Sequence, residues 1–191
     1  MSNQIHLPFS FFQDIASLSI YADTKIGLDW MAGVTLEISN DLIQAIATDR
    51  YAIAHYAVKP AGMAVDSPYY LSISQATCKA LQAVKVPKNG NPVCLVTYGD
   101  DVFSIEYQGI TYKAEALPDL AKRTQRMLEF VEQPTEPLFA GFTLDPKHLV
   151  KLPKLSKDPW RFNRQGSDKT PPIVATCNDF TVIVQPLLER V

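Results

Sequence analysis

The sequence predicts an α+β fold of antiparallel sheets, with each helix laid on one sheet face. Three observations carry this. A short stretch of helical apolar spacing followed by extended stretches occurs three times; the extended stretches alternate apolar and polar residues; and Asn, Asp and Gly mark the turns between them. A helix plus a few strands, used three times, is an internal repeat of weak sequence similarity. With 191 residues, 47% of them hydrophobic and 20% charged, the chain can bury a real core.

The first unit covers residues 7–60. Phe11, Phe12, Ile15, Leu18 and Ile20 recur at helical spacing after Pro8 and Ser10. Val34, Leu36 and Ile38 then alternate as in a half-buried strand, Asn40 and Asp41 form a turn, and 42–47 and 51–58 read as further strands around Thr48, Asp49 and Arg50. Asp49 reads as a turn residue with a surface ion pair to the adjacent Arg50. The second unit opens with a strand at 69–73. Ser74 can cap a helix over Ala76, Leu81 and Val84 that stops by Pro87. Strands at 93–98, 102–107 and 110–116 follow, turning at Gly99-Asp100 and Gln108-Gly109.

Residues 121–137 read as a connector whose composition fits a short helix or an added edge strand. It carries Lys122, Arg123 and Arg126, then Glu129, Glu132 and Glu136. The third unit repeats the plan: a strand at 139–144, then Asp145 and Pro146 as N-cap and first-turn residues. A short helix follows over Leu149, Val150 and Leu152, which Pro153 must end or kink. A strand at 160–163, a loop at 166–169 and a hairpin of 173–176 with 180–184 complete it.

Other classes are thinly supported. The cysteines (Cys78, Cys94, Cys177) are odd in number and widely spaced, so neither a disulfide framework nor a metal site is expected. His6, His55 and His148 are isolated. Asp100 and Asp101 form a carboxylate pair, yet neighbours on a hairpin tip point apart; no GxSxG, phosphate-binding glycine loop or HExxH occurs. No enzyme, metal or cofactor is expected. A net charge of -2 argues against indiscriminate coating of nucleic acid while allowing one basic face. No apolar run nears the roughly 20 residues of a membrane span, so a soluble, cytoplasmic protein is expected.

Gly33-Val34-Thr35-Leu36-Glu37 followed by Ile46-Ala47-Thr48-Asp49 resembles the middle domain of the bacterial DNA polymerase III beta subunit, the sliding clamp. Leu117-Pro118-Asp119 resembles that domain's closing F-P-D. Gly141-Phe142-Thr143-Leu144 and the ending Val182-Ile183-Val184-Gln185-Pro186-Leu187 resemble the last half of the clamp's C-terminal domain. The resemblance implies a DNA-clamp fold with one helix per half-domain repeat. Residues 1–120 would be one clamp-like domain of two half-repeats, 121–137 a connector and 138–191 a half-domain. Two departures stand out. Where the family reads G-H-R-L-A after A-T-D, this chain reads Arg50-Tyr51-Ala52-Ile53-Ala54, and its length covers one and a half of the three clamp domains.

The resemblance further implies an apolar pocket that captures peptides bearing leucine or phenylalanine anchors, with DNA polymerase or repair proteins as partners. The matching positions are Thr48, Tyr51, Ile53, Pro118, Ile183, Gln185, Pro186 and Leu187; by sequence alone, ordinary core or edge packing is the readier account of Ile53, Ile183 and Leu187. Duplex DNA is a second implied partner, through sequence-independent phosphate contacts from Lys79, Lys85, Lys147, Lys151, Lys154 and Arg161. A solvated helix face explains these as readily. The first helix, Ser10 to Ala22, holds no basic residue and one acid, Asp14. A homo-oligomer is expected, because unpaired strands at a shortened domain invite pairing. The rival is a regulatory scaffold with the clamp fold and no DNA contact.

Overall fold

In the computed structural model the described residues are 2–25, 27–87, 90, 92–99, 102–117, 119–137, 144–166 and 171–186. Strand β1 (Asn3–Pro8) feeds helix α1 (Phe9–Ser17), which tightens into a 3-10 turn at Leu18–Tyr21. Phe9, Phe12, Ile15 and Ala16 form its buried stripe. An antiparallel meander follows: β2 (Gly33–Ser39), β3 (Leu42–Thr48) and β4 (Ala52–Val58). The β2–β3 turn rests on Asp41 at φ 51°, a conformation Asp tolerates better than most residues.

The second unit has the same order: β5 (Tyr69–Ser74), α2 (Gln75–Ala83), β6 (Val93–Gly99), β7 (Val102–Tyr107) and β8 (Ile110–Lys113). Ser74 caps α2, its hydroxyl accepting from the Thr77 amide at 3.1 Å. The connector forms both a helix and a strand: α3 (Leu120–Val131) and then β9 (Thr135–Pro137). In the third unit Asp145 caps α4 (Pro146–Leu149) by accepting from the Lys147 amide at 3.0 Å. Pro153 sits in the first turn of α5 (Leu152–Leu155), so the helix breaks into two short pieces there. Strands β10 (Arg161–Gln165), β11 (Ile173–Cys177) and β12 (Phe180–Val184) follow. The expected strand at 139–144, but for Leu144, and the expected loop at 166–169, but for Gly166, lie outside the described residues.

Two antiparallel sheets result, ordered β1-β6-β7-β8 and β5-β2-β3-β4-β12-β11-β10-β9. The first two units exchange their opening strands, so β1 pairs β6 and β5 pairs β2. Gly33 is needed at that second crossing, since a Cβ there would run into the Ile73 carbonyl. In the third unit the connector strand β9 takes the corresponding place beside β10. The large sheet is continuous because β12 pairs β4, with Phe180 opposite Tyr56 and Ile183 opposite Ile53.

One face of each sheet packs into a common core that includes Phe9, Phe12, Ile15, Leu36, Ile38, Leu71, Phe103 and Val182. Helices α2, α1 and α5 lie on that side, α1 touching both others. Gln13 locks α1 to α2 by donating to the Leu81 and Val84 carbonyls at 3.3 and 2.9 Å. On the opposite face of the large sheet lies α3, packed on β2 and β5 through Leu120, Thr124 and Leu128. Its Gln125 amide donates to the Tyr70 hydroxyl at 3.1 Å, and its Phe130 carbonyl accepts from Gln165 of β10 at 2.6 Å.

Candidate functional site

The Ala47-Thr48-Asp49 motif ends β3, and both polar side chains are spent on the turn into β4. The Thr48 hydroxyl donates to the Ala52 carbonyl at 2.8 Å and accepts from the Arg50 amide at 3.1 Å. Asp49 Oδ1 accepts from the amides of Tyr51 and Ala52 at 3.2 and 2.9 Å. Arg50 sits in the left-handed region at φ 77°, which turns its side chain away from Asp49 and toward Asp23, 3.4 Å distant. The expected Asp49–Arg50 ion pair is therefore replaced: Asp49 Oδ2 accepts from Lys151 Nζ at 3.0 Å, tying this turn to the segment between α4 and α5.

Around that ion pair lies a small polar cluster. His148 is 2% exposed, and its Nδ1 is 3.8 Å from Asp49 Oδ2 without a hydrogen bond among the described residues. Burial holds its pKa below the ordinary histidine value, with Lys151 and Lys147 adding to the effect and Asp49 opposing it. The Tyr21 hydroxyl donates to the His148 carbonyl at 3.1 Å. Burial, reinforced by Asp49, pushes the Tyr21 phenol well above its usual range, so it stays a donor. The Lys151 ammonium also lies 4.5 Å from the Tyr21 ring centroid.

Beside this cluster the structure gathers most of the expected pocket positions. Thr48, Ile53 and Ile183 are consecutive cross-strand partners on β3, β4 and β12, in one row on the face opposite the main core. Thr48 and Ile183 are buried and Ile53 is half-buried. The Gln185 amide donates to the Tyr51 carbonyl at 3.0 Å, which carries the β12 end past the turn, and Pro186 follows half-buried. Tyr51 is 53% exposed, with the Arg50 guanidinium 5.5 Å and the Lys147 ammonium 5.0 Å from its ring centroid. Pro118 and Leu187 lie outside the described residues.

Two shallow concavities flank Leu117 along the β5 edge of the large sheet. One, of about 290 Å³, is lined by Asp29, Gly33, Ser72, Ser74 and Glu115 among others; one of about 320 Å³ by Tyr69, Tyr70, Asp119 and Leu120 among others. Neither follows from the sequence, because both depend on Glu115 bridging to Ser72 and on where α3 lands.

The six basic positions do not form one surface. Lys79 and Lys85 are exposed on and just after α2, and Lys154 is exposed on α5. Lys147 pairs with Asp145 at 2.9 Å, and Lys151 is held by Asp49. Strand alternation puts Arg161 with Asn163 and Gln165 on the α3 side of the sheet, opposite the helices. The central helix α1 shows half-buried Ser10, Gln13, Asp14 and Ser17 between these groups. Among the described residues no cluster of His, Cys, Asp and Glu could hold a metal ion, and no helix is long and apolar enough to cross a membrane.

Neither a protein-family model nor a curated protein matches the sequence. Solved structures do match by shape. The sliding clamp of Bacillus subtilis superposes with a TM-score of 0.69 at 11% identity over 97% of this chain and 64% of that one. The DNA polymerase III beta subunit of Pseudomonas aeruginosa gives 0.68 at 10% identity, covering 97% and 66%. That of Thermotoga maritima gives 0.63 at 13% identity, covering 97% and 65%. The chain thus spans just under two thirds of the length of these clamps, and across that span it has the fold of the DNA polymerase III beta sliding clamp.

Proposed function

We propose that this protein is a non-catalytic, sliding-clamp-like adaptor whose β4–β12 corner captures peptide segments of DNA polymerases or repair proteins. The observation that supports this most is the row Thr48–Ile53–Ile183 beside Tyr51, Gln185 and Pro186. Residues 130 positions apart in sequence converge there, with an apolar floor, a half-exposed aromatic and a polar margin. Such a corner suits a short chain carrying leucine or phenylalanine, because a few buried side chains supply most of the energy of groove binding. In this reading 1–120 act as one clamp-like domain and 138–191 as a half-domain docked on it.

Duplex DNA is a weaker partner in the same reading. Lys79, Lys85, Lys147 and Lys154 flank a central helix without a basic residue, so phosphate contacts would come from the two sides alone. Fluorescence polarisation with a labelled peptide containing adjacent leucine and phenylalanine anchors tests the main claim. Saturable binding that Ile53→Asp abolishes is expected; no saturation, or binding indifferent to Ile53→Asp, sinks it.

A further inference from the structure

The row Thr48–Ile53–Ile183 does not stop at Thr48. The β2–β3 register has Thr35 facing Ile46, and its next pair on that face sets Gly33 opposite Thr48. Gly33 in turn faces Ser74 of β5. Being a glycine, it raises no side chain between the row and what lies beyond. Beyond it is the concavity of about 290 Å³ whose lining includes Asp29, Gly33, Ser72, Ser74 and Glu115. Ser72 stands on the same sheet face as the row, since it faces Thr35 and Thr35 faces Ile46, two residues before Thr48. Corner and concavity are thus two stretches of one groove.

The concavity differs from the corner in chemistry. Asp29 and Glu115 are exposed, and neither carboxylate has an ion-pair or hydrogen-bond partner among the described residues. Arg123 pairs with neither; its guanidinium lies 5.0 Å from the ring centroid of Trp30, the neighbour of Asp29. Ser72 is 6% exposed, yet its hydroxyl has no hydrogen-bond partner among the described residues. The position of that hydroxyl is fixed, because the Ser72 amide and carbonyl both bond Glu115, at 2.7 and 2.8 Å. Its Oγ lies 3.3 Å from the point where a Cβ on Gly33 would stand, so it sits where the row enters the concavity. Ser74 differs, since its hydroxyl is spent on capping α2. A buried hydroxyl left unused is costly, and a ligand donor would satisfy it. Two carboxylates and a hydroxyl form a set of acceptors suited to an ammonium or a guanidinium, which only donate.

We propose that this concavity is a second subsite of the groove and takes a lysine or arginine side chain of the captured peptide. The inference rests on peptide capture at the β4–β12 corner and adds the charge of the ligand to it. Strands lie about 4.8 Å apart, so Gly33 is about 10 Å from Ile53 and about 14 Å from Ile183. An extended peptide rises about 3.3 Å per residue and covers that span in about three to four residues. The favoured partner therefore carries its basic residue about three to four positions from the leucine or phenylalanine anchor.

Fluorescence polarisation with the whole chain tests this with two labelled peptides that share the same anchors. One has lysine about four positions from the anchors and the other glutamine, each made with that residue on either side. On one side the lysine peptide should bind about three- to tenfold tighter at about 50 mM salt, and the gain should shrink at about 500 mM. A lysine directly beside the anchors should gain nothing. A double variant carrying Asp29→Asn and Glu115→Gln, both at exposed positions, should bind the two peptides alike, with the parent's affinity for the glutamine one. Equal, saturable binding of both peptides that Ile53→Asp abolishes overturns the subsite and leaves the corner standing. A lysine preference that persists in the double variant, or that ignores spacing, also overturns it. If neither peptide binds, the corner itself fails and the subsite falls with it.

Discussion

The seam strand β12 and the open strand β8 occupy the same place in their units and differ in what covers them. Strand β12, Phe180-Thr181-Val182-Ile183-Val184, is apolar on both faces; β8, Ile110-Thr111-Tyr112-Lys113, is apolar on one face and polar on the other. The seam needs the first pattern because Val182 joins the main core while Ile183 is buried on the second face, where α3 lies. Lys113, in the place of Ile183, keeps the outer face of β8 in solvent. Ile183 and Lys113, at the same backbone position of the two strands, thus separate an edge covered on both faces from one that keeps a face in solvent.

The largest effect expected from breaking this contrast comes from a charge at the seam. Val182→Asp places a carboxylate without a partner at a fully buried position and should cost about 3–5 kcal/mol in urea denaturation, enough to undock the third unit. Lys113→Asp on β8 should change stability by less than about 0.5 kcal/mol. Equal costs would mean that the two edges are not packed differently.

A second contrast is in pH. His55, on the seam strand β4 and bonded to Gln44 at 2.9 Å, has its pKa lowered to about 4 by burial, against an ordinary 6.5. The unfolded chain therefore takes up a proton that the folded chain refuses between these values. Stability should be full above pH 6.5 and fall as the pH drops toward 4, by at most about 3 kcal/mol from this group. His55→Gln should flatten that slope in urea titrations at several pH values. Burial also lowers the pKa of His148, which adds acid sensitivity of the same sign.

A smaller effect is expected at the corner itself. Asp49→Ala loses two turn amides and the Lys151 contact and should cost about 1–3 kcal/mol. Its thermal unfolding should be insensitive to a further Lys151→Ala change. Additive losses would show that Asp49 and Lys151 act separately.

Much of the fold is legible in the sequence for local reasons. Alternation fixes β2, β6 and β7, Ser74 and Asp145 announce the starts of α2 and α4, and Pro153 announces the break before α5. The connector is helix first and strand second, because Leu120, Thr124 and Leu128 share a helical face while the Thr135–Pro137 stretch is extended. The β4–β12 pairing is not legible, since periodicity specifies that a strand exists and not which strand lies beside it. Its one local trace is a strand apolar on both faces. The site divides in the same way. Thr48, Tyr51, Ile53, Ile183 and Gln185 enter through family resemblance and do meet in space. The Asp49–Lys151 bond joins residues 102 apart and carries no local signal. Arg161 shares the charge of the helix lysines, but strand parity assigns it to the other face.

The central claim, peptide capture at the closed seam, is tested most directly by methyl NMR of isoleucine-labelled protein during titration with a leucine- and phenylalanine-bearing peptide. Saturable shifts at Ile53 and Ile183 with a silent Ile110 are the predicted result. Shifts at Ile110 alone, or none at any isoleucine as the peptide is raised to excess, would contradict it.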